Sequence, residues 1–150
     1  MISVVKKDLL KMNVDVIAHQ VNCQGVMGAG LALQIRNKYP EVYATYRKYC
    51  PNSNLLGKIQ MVDVGTHFVA NLFAQDKYGT DKRHTSYEAL KQCFIKLRNY
   101  AINNELHSIA IPYNIGCGLA GGDWNTVSKI IKEVFANESL AIFICKKEVK

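Results

Sequence analysis

Two glycine-rich segments hold most of the side chains that are suited to chemistry. One runs from His19 to Gly30 and contains Asn22, and the other runs from Tyr113 to Trp124. Glycine permits positive φ and lets a ligand approach the backbone closely, and free amides at the start of a helix attract anions. Two such segments at one edge of a sheet predict a cradle for a diphosphate. Two ordinary turns are the alternative interpretation.

Residues 116–121 also fit the pattern Gly-x-Gly-x-x-Gly of dinucleotide-binding enzymes. In those enzymes the pattern lies in the first βαβ unit, and an acidic residue follows about 20 positions later. Here the pattern falls in the last unit, so the sequence predicts phosphate binding but argues against a dehydrogenase. Neither segment continues into Gly-Lys-Ser/Thr, which argues against a Walker-type site.

The elements that must position these segments alternate between strands and helices. Apolar runs predict strands near Ile2–Val5, Val16–Val21, Ile59–Val64, Phe68–Phe73, Ser108–Pro112 and Leu140–Cys145. Helical spacing predicts helices after Gly30, around Pro40 to Tyr49, over Tyr87–Ala101 and from Trp124. Thr85 and Glu88 fit a capping box, and Asp123 is suited to cap the last helix. The pattern predicts an α/β fold with a mixed, largely parallel sheet.

Length and composition predict one intracellular domain over residues 1–150. The chain is 49% hydrophobic and 21% charged, and no apolar run approaches the roughly 18 residues of a membrane span. The first residues do not have the order of a signal peptide, so we expect a cytoplasmic protein. The net charge of +7 favours an anionic ligand, although the basic residues are scattered as on an ordinary solvated surface.

The cysteines and histidines do not predict a metal or a disulfide framework. Five cysteines are widely spaced without a Cys-x-x-Cys pair, and four histidines form no tight pattern with them or with carboxylates. No metal or cofactor is therefore expected.

Several motifs together resemble the macro domains over essentially the whole chain. They are Lys7-Asp8-Leu9, Val21-Asn22 with Gly25–Ala32, Asn71–Gly79, Thr85–Leu90, and Ile111–Pro112 with Ile115–Trp124. The middle motifs resemble the small microbial and viral branch of ADP-ribose 1″-phosphate phosphatases. The resemblance implies a three-layer α/β/α fold with a cleft for ADP-ribose.

Carried over by position, the resemblance implies a role for each part of the cleft. Asp8 would bond the adenine amine, Asn22 would face the distal ribose, and the second segment would wrap the diphosphate through backbone amides. From the residues alone, a solvated carboxylate and a turn side chain remain the alternatives for Asp8 and Asn22. The expected ligand-binding residues are Asp8, Leu9, Asn22, Gly25, Val26, Met27, Gly28, Gly30, Gln75, Tyr113, Ile115, Gly116, Cys117, Gly118, Leu119, Ala120 and Gly121.

Two departures from the family pattern bear on catalysis. Some relatives carry a catalytic lysine where this chain has Gln75, and some carry an aspartate where it has Ala120. A covalent lysine mechanism is therefore not expected. We expect Asn22 to position a water and His84 to act as base, with Asp76 or the substrate's own phosphate as other bases and a solvated loop histidine as the alternative for His84.

The predicted function is binding of ADP-ribose and hydrolysis of ADP-ribose 1″-phosphate to ADP-ribose and phosphate. Two alternatives remain, which are a hydrolase that removes ADP-ribose from protein or nucleic acid, and a reader that binds ADP-ribose without turnover. A monomer without membrane contact is expected. Cys117 is interpreted as a small packing residue rather than a nucleophile.

Overall fold

The structure, a computed structural model, describes residues 1–136 and 139–147. Its strands are β1 (Ile2–Val5), β2 (Val16–Asn22), β3 (Ile59–Asp63), β4 (Phe68–Gln75), β5 (Ser108–Pro112) and β6 (Ala141–Cys145). They form one sheet in the order β1-β6-β5-β2-β4-β3. Only β3 runs antiparallel to its neighbour, so the prediction of a mixed, largely parallel sheet is confirmed.

Within the described residues, four α-helices cover the two faces of the sheet and complete a three-layer α/β/α fold. They are α1 (Gly30–Lys38), α2 (Pro40–Arg47), α3 (Tyr87–Asn103) and α4 (Trp124–Val134). Residues of β2 pack on both faces of the sheet. Val16 and Ala18 pack in the cluster that contains α3 and α4, whereas Val21 packs in the cluster that contains α1 and α2. This burial on both faces explains the nearly continuous apolar run of β2.

The boundaries of the elements correct the sequence analysis at two places. The prediction that Thr85 caps α3 is wrong, because Ser86 is the cap and its side chain accepts from the N–H of Ala89. Thr85 instead forms an isolated bridge with Gln75 at the end of β4, two residues beyond the predicted end of that strand. Tyr49 lies outside α2.

The cap of α4 agrees with the prediction. The carboxylate of Asp123 accepts from the N–H of Thr126 at 3.0 Å, which satisfies one of the free amides of the first turn. The second glycine-rich segment therefore ends on a firmly capped helix.

Two further findings concern the described residues as a set. No helix among them combines the length and the apolar character needed to cross a membrane. Their cysteine side chains are free thiols.

Candidate functional site

The two glycine-rich segments line the same cleft. β2 and β5 are neighbours in the sheet, and the segments that follow them leave at the same edge. Between them lies a cleft of about 610 Å³. The expected ligand-binding residues that line it are Asn22, Val26, Gly28, Gly30, Gln75, Tyr113, Ile115, Gly116, Gly118, Leu119 and Ala120. The arrangement on which a diphosphate cradle depends is therefore present.

The cleft attracts anions with backbone amides rather than with charged side chains. The N–H groups of Gly30 to Ala32 at the start of α1, and those of Gly118 to Ala120, have no hydrogen-bond partner within the described parts of the chain. None of the described residues along the cleft wall is an acid, a lysine or an arginine. Free amides and the positive end of α1 are thus the groups that this cleft offers to an anion.

Asn22 lies in the cleft wall, but its side chain mainly shapes the first loop. Its Oδ1 accepts from the N–H of Gln24 at 3.0 Å and from the hydroxyl of Tyr46 at 2.7 Å, and its Nδ2 donates to the Val26 carbonyl at 2.8 Å. Tyr46 also accepts from the N–H of Gly25 at 3.1 Å. Because the amide has two N–H groups, one hydrogen on Nδ2 is left for a ligand or a water.

Gln75 belongs to a polar network at the floor of the cleft. Its Oε1 accepts from Gln20 Nε2 at 2.9 Å, and its Nε2 donates to the Lys77 carbonyl at 2.8 Å. The second hydrogen of Gln20 Nε2 goes to Thr85 Oγ1 at 2.8 Å. Thr85 in turn donates to the Gly116 carbonyl at 2.7 Å. The network ties the end of β4 to the second glycine-rich segment.

Gly116 is required by this network. It has φ +73°, and a Cβ added there would lie 2.8 Å from Gln20 Oε1 and 3.2 Å from the Thr85 side chain. The carbonyl of the same residue accepts from Thr85. A side chain at position 116 would therefore push the second segment away from the end of β4.

His19 is a buried histidine whose protonation state is set by its neighbours. Its Nε2 lies 2.6 Å from Asn71 Oδ1, while Asn71 Nδ2 donates to Gln60 Oε1 and Gln60 Nε2 donates to the Thr45 carbonyl. A carbonyl can only accept, so every bond in the chain points away from His19, which carries its hydrogen on Nε2. Burial lowers the pKa of His19 to about 4, although the bond to Asn71 opposes that shift.

The expected base, His84, is not brought to the cleft wall. Its Nε2 lies 2.8 Å from Asp81 Oδ1, and the pair belongs to the loop between β4 and α3. The hydrogen bond from His84, together with nearby Lys82, lowers the pKa of Asp81. The structure thus places His84 where it holds a loop together.

Asp8 and Leu9 line a second hollow of about 220 Å³ that adjoins the cleft. The hollow shares Leu31, Pro112 and Tyr113 with the cleft wall. The Asp8 carboxylate accepts from the N–H of Leu10 at 3.0 Å, and its other oxygen lies 3.7 Å from Lys147 Nζ. The two cavities together form one extended groove from Asp8 to the end of β4.

Four of the expected ligand-binding residues do not line the cleft, namely Gly25, Met27, Cys117 and Gly121. Met27 is buried. A Cβ on Gly25 would meet Arg47 and Cys50, and one on Gly121 would meet the Arg83 backbone, so these glycines permit close packing. The Cys117 thiol donates to the Ile115 carbonyl, and burial raises its pKa to about 11, which does not suit a nucleophile.

Sequence reasoning missed the segment Tyr78–Thr80, which also lines the cleft. It begins three residues after the end of β4, and Gly79 within it has φ +132°. A glycine six residues after the predicted strand end at Phe73, beside the cleft, is the signal that could have found it. His19 and Gln20 line the cleft as well.

Comparison with known proteins places this architecture in a family. The family model described as the macro domain matches residues 18–131. The macrodomain of Mycobacterium tuberculosis DarG superposes with a TM-score of 0.86 and 26% identity, covering 99% of each chain.

Two curated relatives are enzymes. The DNA ADP-ribosyl glycohydrolase of Mycobacterium tuberculosis is 31% identical over 85% of this chain and 37% of its own length. The ADP-ribose 1″-phosphate phosphatase of Scheffersomyces stipitis is 29% identical over 89% of this chain and 94% of its own length. The chain spans only 37 to 41% of the length of the DNA ADP-ribosyl glycohydrolases that it matches. From the family model and the shared fold, this chain belongs to the macro domain family.

Proposed function

We propose that this chain is an ADP-ribose-binding hydrolase formed by one domain over residues 1–150. The observation that carries the proposal is the pair of glycine-rich segments whose unpartnered amides face one cleft. Backbone amides bind phosphoryl oxygens without regard to side-chain identity. The names of the curated relatives support ADP-ribose as the ligand and hydrolysis as the reaction.

In the proposed binding mode, placing the adenine at Asp8 orients the nucleotide along the groove. The hollow beside Asp8 lies at the β1–β6 side of the groove, whereas Gln75 marks the opposite side, where β4 ends. With the adenine at Asp8, the diphosphate lies between the two segments and the distal ribose lies at the end of β4. Tyr113 forms the wall between the two parts, with its ring 4.7 Å from Lys146 Nζ.

The preferred reaction is hydrolysis of ADP-ribose 1″-phosphate. A water attacks phosphorus, the bond from phosphorus to the 1″ oxygen breaks, and the sugar oxygen takes up a proton as phosphate leaves. Loop amides stabilise the charge of the phosphoryl group, and the remaining Nδ2 hydrogen of Asn22 orients the water. His84 does not line the cleft, so the substrate's own phosphate accepts the water's proton. Gln75 cannot form a Schiff base, which favours direct attack by water.

One observation favours a second candidate, the removal of ADP-ribose from protein or nucleic acid. No described residue of the cleft wall offers a cationic side chain to a phosphate dianion at the ribose 1″ position. Phosphoryl transfer commonly uses such cations. A neutral leaving group would not need one. The macro domain would then act on an ADP-ribosylated macromolecule, as the name of the mycobacterial relative indicates for that protein.

The surroundings of this activity are also proposals. We place the chain in the cytoplasm as a monomer, with ADP-ribose or an ADP-ribosylated macromolecule as its partner. Gel filtration with light scattering measures the oligomeric state, and a second peak at twice the monomer mass would contradict it.

Gly118→Val tests the proposed binding site without disturbing the fold. A Cβ at Gly118 would meet no atom within 4 Å, so the new side chain projects into the cleft rather than into the protein. Calorimetric titration with ADP-ribose should show strong loss of affinity in a variant with an unchanged melting temperature. Ala44→Val on the exposed face of α2 is the control. Wild-type affinity in the folded Gly118→Val variant would refute the site.

Turnover assays with three substrates distinguish the two reactions from binding without catalysis. ADP-ribose 1″-phosphate, an ADP-ribosylated oligonucleotide and an ADP-ribosylated protein are incubated in turn with the chain. Phosphate release supports the preferred reaction, and release of ADP-ribose from a macromolecule supports the second. Binding of ADP-ribose without turnover of any of them would identify a reader instead.

A further inference from the structure

The hollow beside Asp8 differs in charge from the cleft that it adjoins. Among the described residues, the cleft wall has no acid, lysine or arginine, whereas the hollow is lined by Lys146 and Lys147 together with Asp8. Burial raises the pKa of the Cys145 thiol in this hollow to about 11, and nearby Asp8 adds to that shift while Lys7 opposes it, so Lys7 also acts on the hollow. The hollow is thus the described part of the groove that offers positive side chains to an anion.

The sheet fixes the start of the segment that carries these lysines. The N–H of Lys146 donates to the Val5 carbonyl at 2.9 Å, and the N–H of Tyr113 donates to the Cys145 carbonyl at 2.9 Å. Lys146 therefore leaves β6 beside the end of β5, and its Nζ lies 4.7 Å from the centre of the Tyr113 ring. A cation over an aromatic face is attracted to the ring. Lys146 thus presents its charge at a defined place above Tyr113.

The second lysine is paired with Asp8. The Nζ of Lys147 lies 3.7 Å from Asp8 Oδ2, while Oδ1 of the same carboxylate accepts from the Leu10 N–H at 3.0 Å. One lysine therefore offsets the charge of Asp8, and Lys146 has no acidic partner among the described residues. Two lysines and one aspartate give the described lining of the hollow a formal charge of +1.

In the proposed binding mode, the adenosine ribose lies beside Tyr113. The adenine is in the hollow, the diphosphate is in the cleft, and Leu31, Pro112 and Tyr113 line both cavities. The ribose that joins the adenine to the diphosphate must cross this shared wall, next to the cation of Lys146. In dinucleotide-binding folds, a basic side chain at the adenosine ribose accommodates a 2′-phosphate, whereas a carboxylate there binds the free hydroxyl. The charge at this wall therefore favours a phosphate on that ribose.

We propose that Lys146 and Lys147 form a binding site for a phosphate ester on the adenosine ribose of ADP-ribose. The inference rests on the proposed function, because it takes the orientation with the adenine at Asp8. The ligand class is a phosphorylated ADP-ribose, in which the additional phosphate is a monoester of a ribose hydroxyl. A phosphate dianion accepts charge-assisted hydrogen bonds from lysine ammonium groups, and these are stronger than the bonds that a neutral ribose hydroxyl makes.

The test compares nucleotides that differ by one phosphate on this ribose. Calorimetric titration measures the affinities of ADP-ribose and ADP-ribose 2′-phosphate, and those of AMP, adenosine 2′,5′-bisphosphate and adenosine 3′,5′-bisphosphate. At low ionic strength the additional phosphate should tighten binding about tenfold, as expected for two partly exposed ion pairs. The gain should shrink to about twofold in about 1 M salt, because salt screens exposed charges. A gain for either bisphosphate over AMP supports the site and shows which hydroxyl carries the phosphate.

Matched variants separate a contact with the phosphate from the net charge of the chain. Lys146→Gln should lose about threefold of the gain, and the double variant Lys146→Gln/Lys147→Gln should lose nearly all of it, whereas Lys146→Arg keeps the charge and should keep the gain. Affinity of Lys146→Gln for ADP-ribose itself should stay within about twofold of the wild type. Lys132→Gln removes an equal charge from the exposed face of α4, outside both cavities, and should change nothing.

The outcomes distinguish this inference from the proposed function. If the wild type binds ADP-ribose but gains nothing from a phosphate at the 2′ or the 3′ position, the inference is overturned and the proposed function stands. Retention of the gain in the double variant, or an equal loss of it in Lys132→Gln, also overturns the inference, because the two lysines would then have no specific part in binding. A wild type that does not bind ADP-ribose refutes the proposed function and this inference together.

Discussion

Protonation of His19 should make this fold lose stability in mild acid. The imidazole is buried, and its pKa is lowered to about 4 because burial disfavours its charged form. The unfolded chain has the ordinary histidine pKa of about 6.5. Between these two values the unfolded state binds more protons than the folded state, so the free energy of unfolding must fall as pH decreases.

The size of this effect follows from the two pKa values. A difference of about 2.5 units corresponds to about 3 kcal/mol once both states are protonated. Between pH 7 and pH 5 the same two values give a loss of about 2 kcal/mol. Most of the difference therefore appears above the range in which carboxylates titrate, which allows the histidine to be separated from them.

Urea unfolding at a series of pH values measures this loss. His19→Gln removes the titrating group while keeping an amide that can donate to Asn71, and its free energy of unfolding should vary less with pH by about 2 kcal/mol over that interval. His107→Gln replaces an exposed histidine and should show the wild-type pH dependence. The reasoning is refuted if the wild type and His19→Gln lose the same free energy between pH 7 and pH 5.

Three further predictions concern the residues that shape the cleft. Gly116→Ala should lower the free energy of unfolding in urea by about 1–3 kcal/mol and weaken ADP-ribose binding. The reason is that the new Cβ would meet Gln20 Oε1 at a residue whose φ is positive. Full affinity for ADP-ribose in this variant would contradict the role given to Gly116. Tyr46→Phe should lower the free energy of unfolding by about 1–3 kcal/mol, since the buried hydroxyl is hydrogen-bonded to Asn22 and to the Gly25 N–H. An unchanged urea midpoint would show that the first loop does not need this hydroxyl. Asp123→Ala should lower the free energy of unfolding by about 1 kcal/mol through loss of the α4 cap. Asp123→Asn should retain most of the wild-type stability, because asparagine is also a good cap.

The alternation of strands and helices could be predicted from the sequence because burial in the core sets the apolar pattern within each element. β2 is buried on both faces, and its apolar run shows this directly. The cap of α3 could not be assigned in the same way. Thr85 and Ser86 are both suitable caps, and Thr85 also has Glu88 three residues on. The choice was decided by the carbonyl of Gly116, 31 residues away, which takes the Thr85 hydroxyl.

The position of the cleft could be predicted from the sequence, whereas its individual side-chain contacts could not. That two glycine-rich segments would meet at one edge followed from the order of the elements and the rule that ligands bind beyond parallel strand ends. The contacts of individual side chains did not follow. Gln20 and Gln75 lie 55 residues apart, and their pairing depends on the register between β2 and β4. The position of His84 could not be predicted either, because it depends on the hydrogen bond between His84 and Asp81, three residues earlier.

The division between backbone and side chains suggests how binding and selectivity are distributed in this cleft. In the proposed binding mode the diphosphate is held by amides, which any sequence that keeps the glycines and the loop geometry can supply. Asn22 serves that geometry through its bonds to Gln24 and Val26, so replacing it would disturb affinity and turnover together. In the same proposed mode, the group beyond the distal ribose lies near side chains instead, since Gln75 and Tyr78 line that part of the cleft. Changes in the segment after β4 can therefore alter which ADP-ribosyl bond is accepted without loss of the nucleotide.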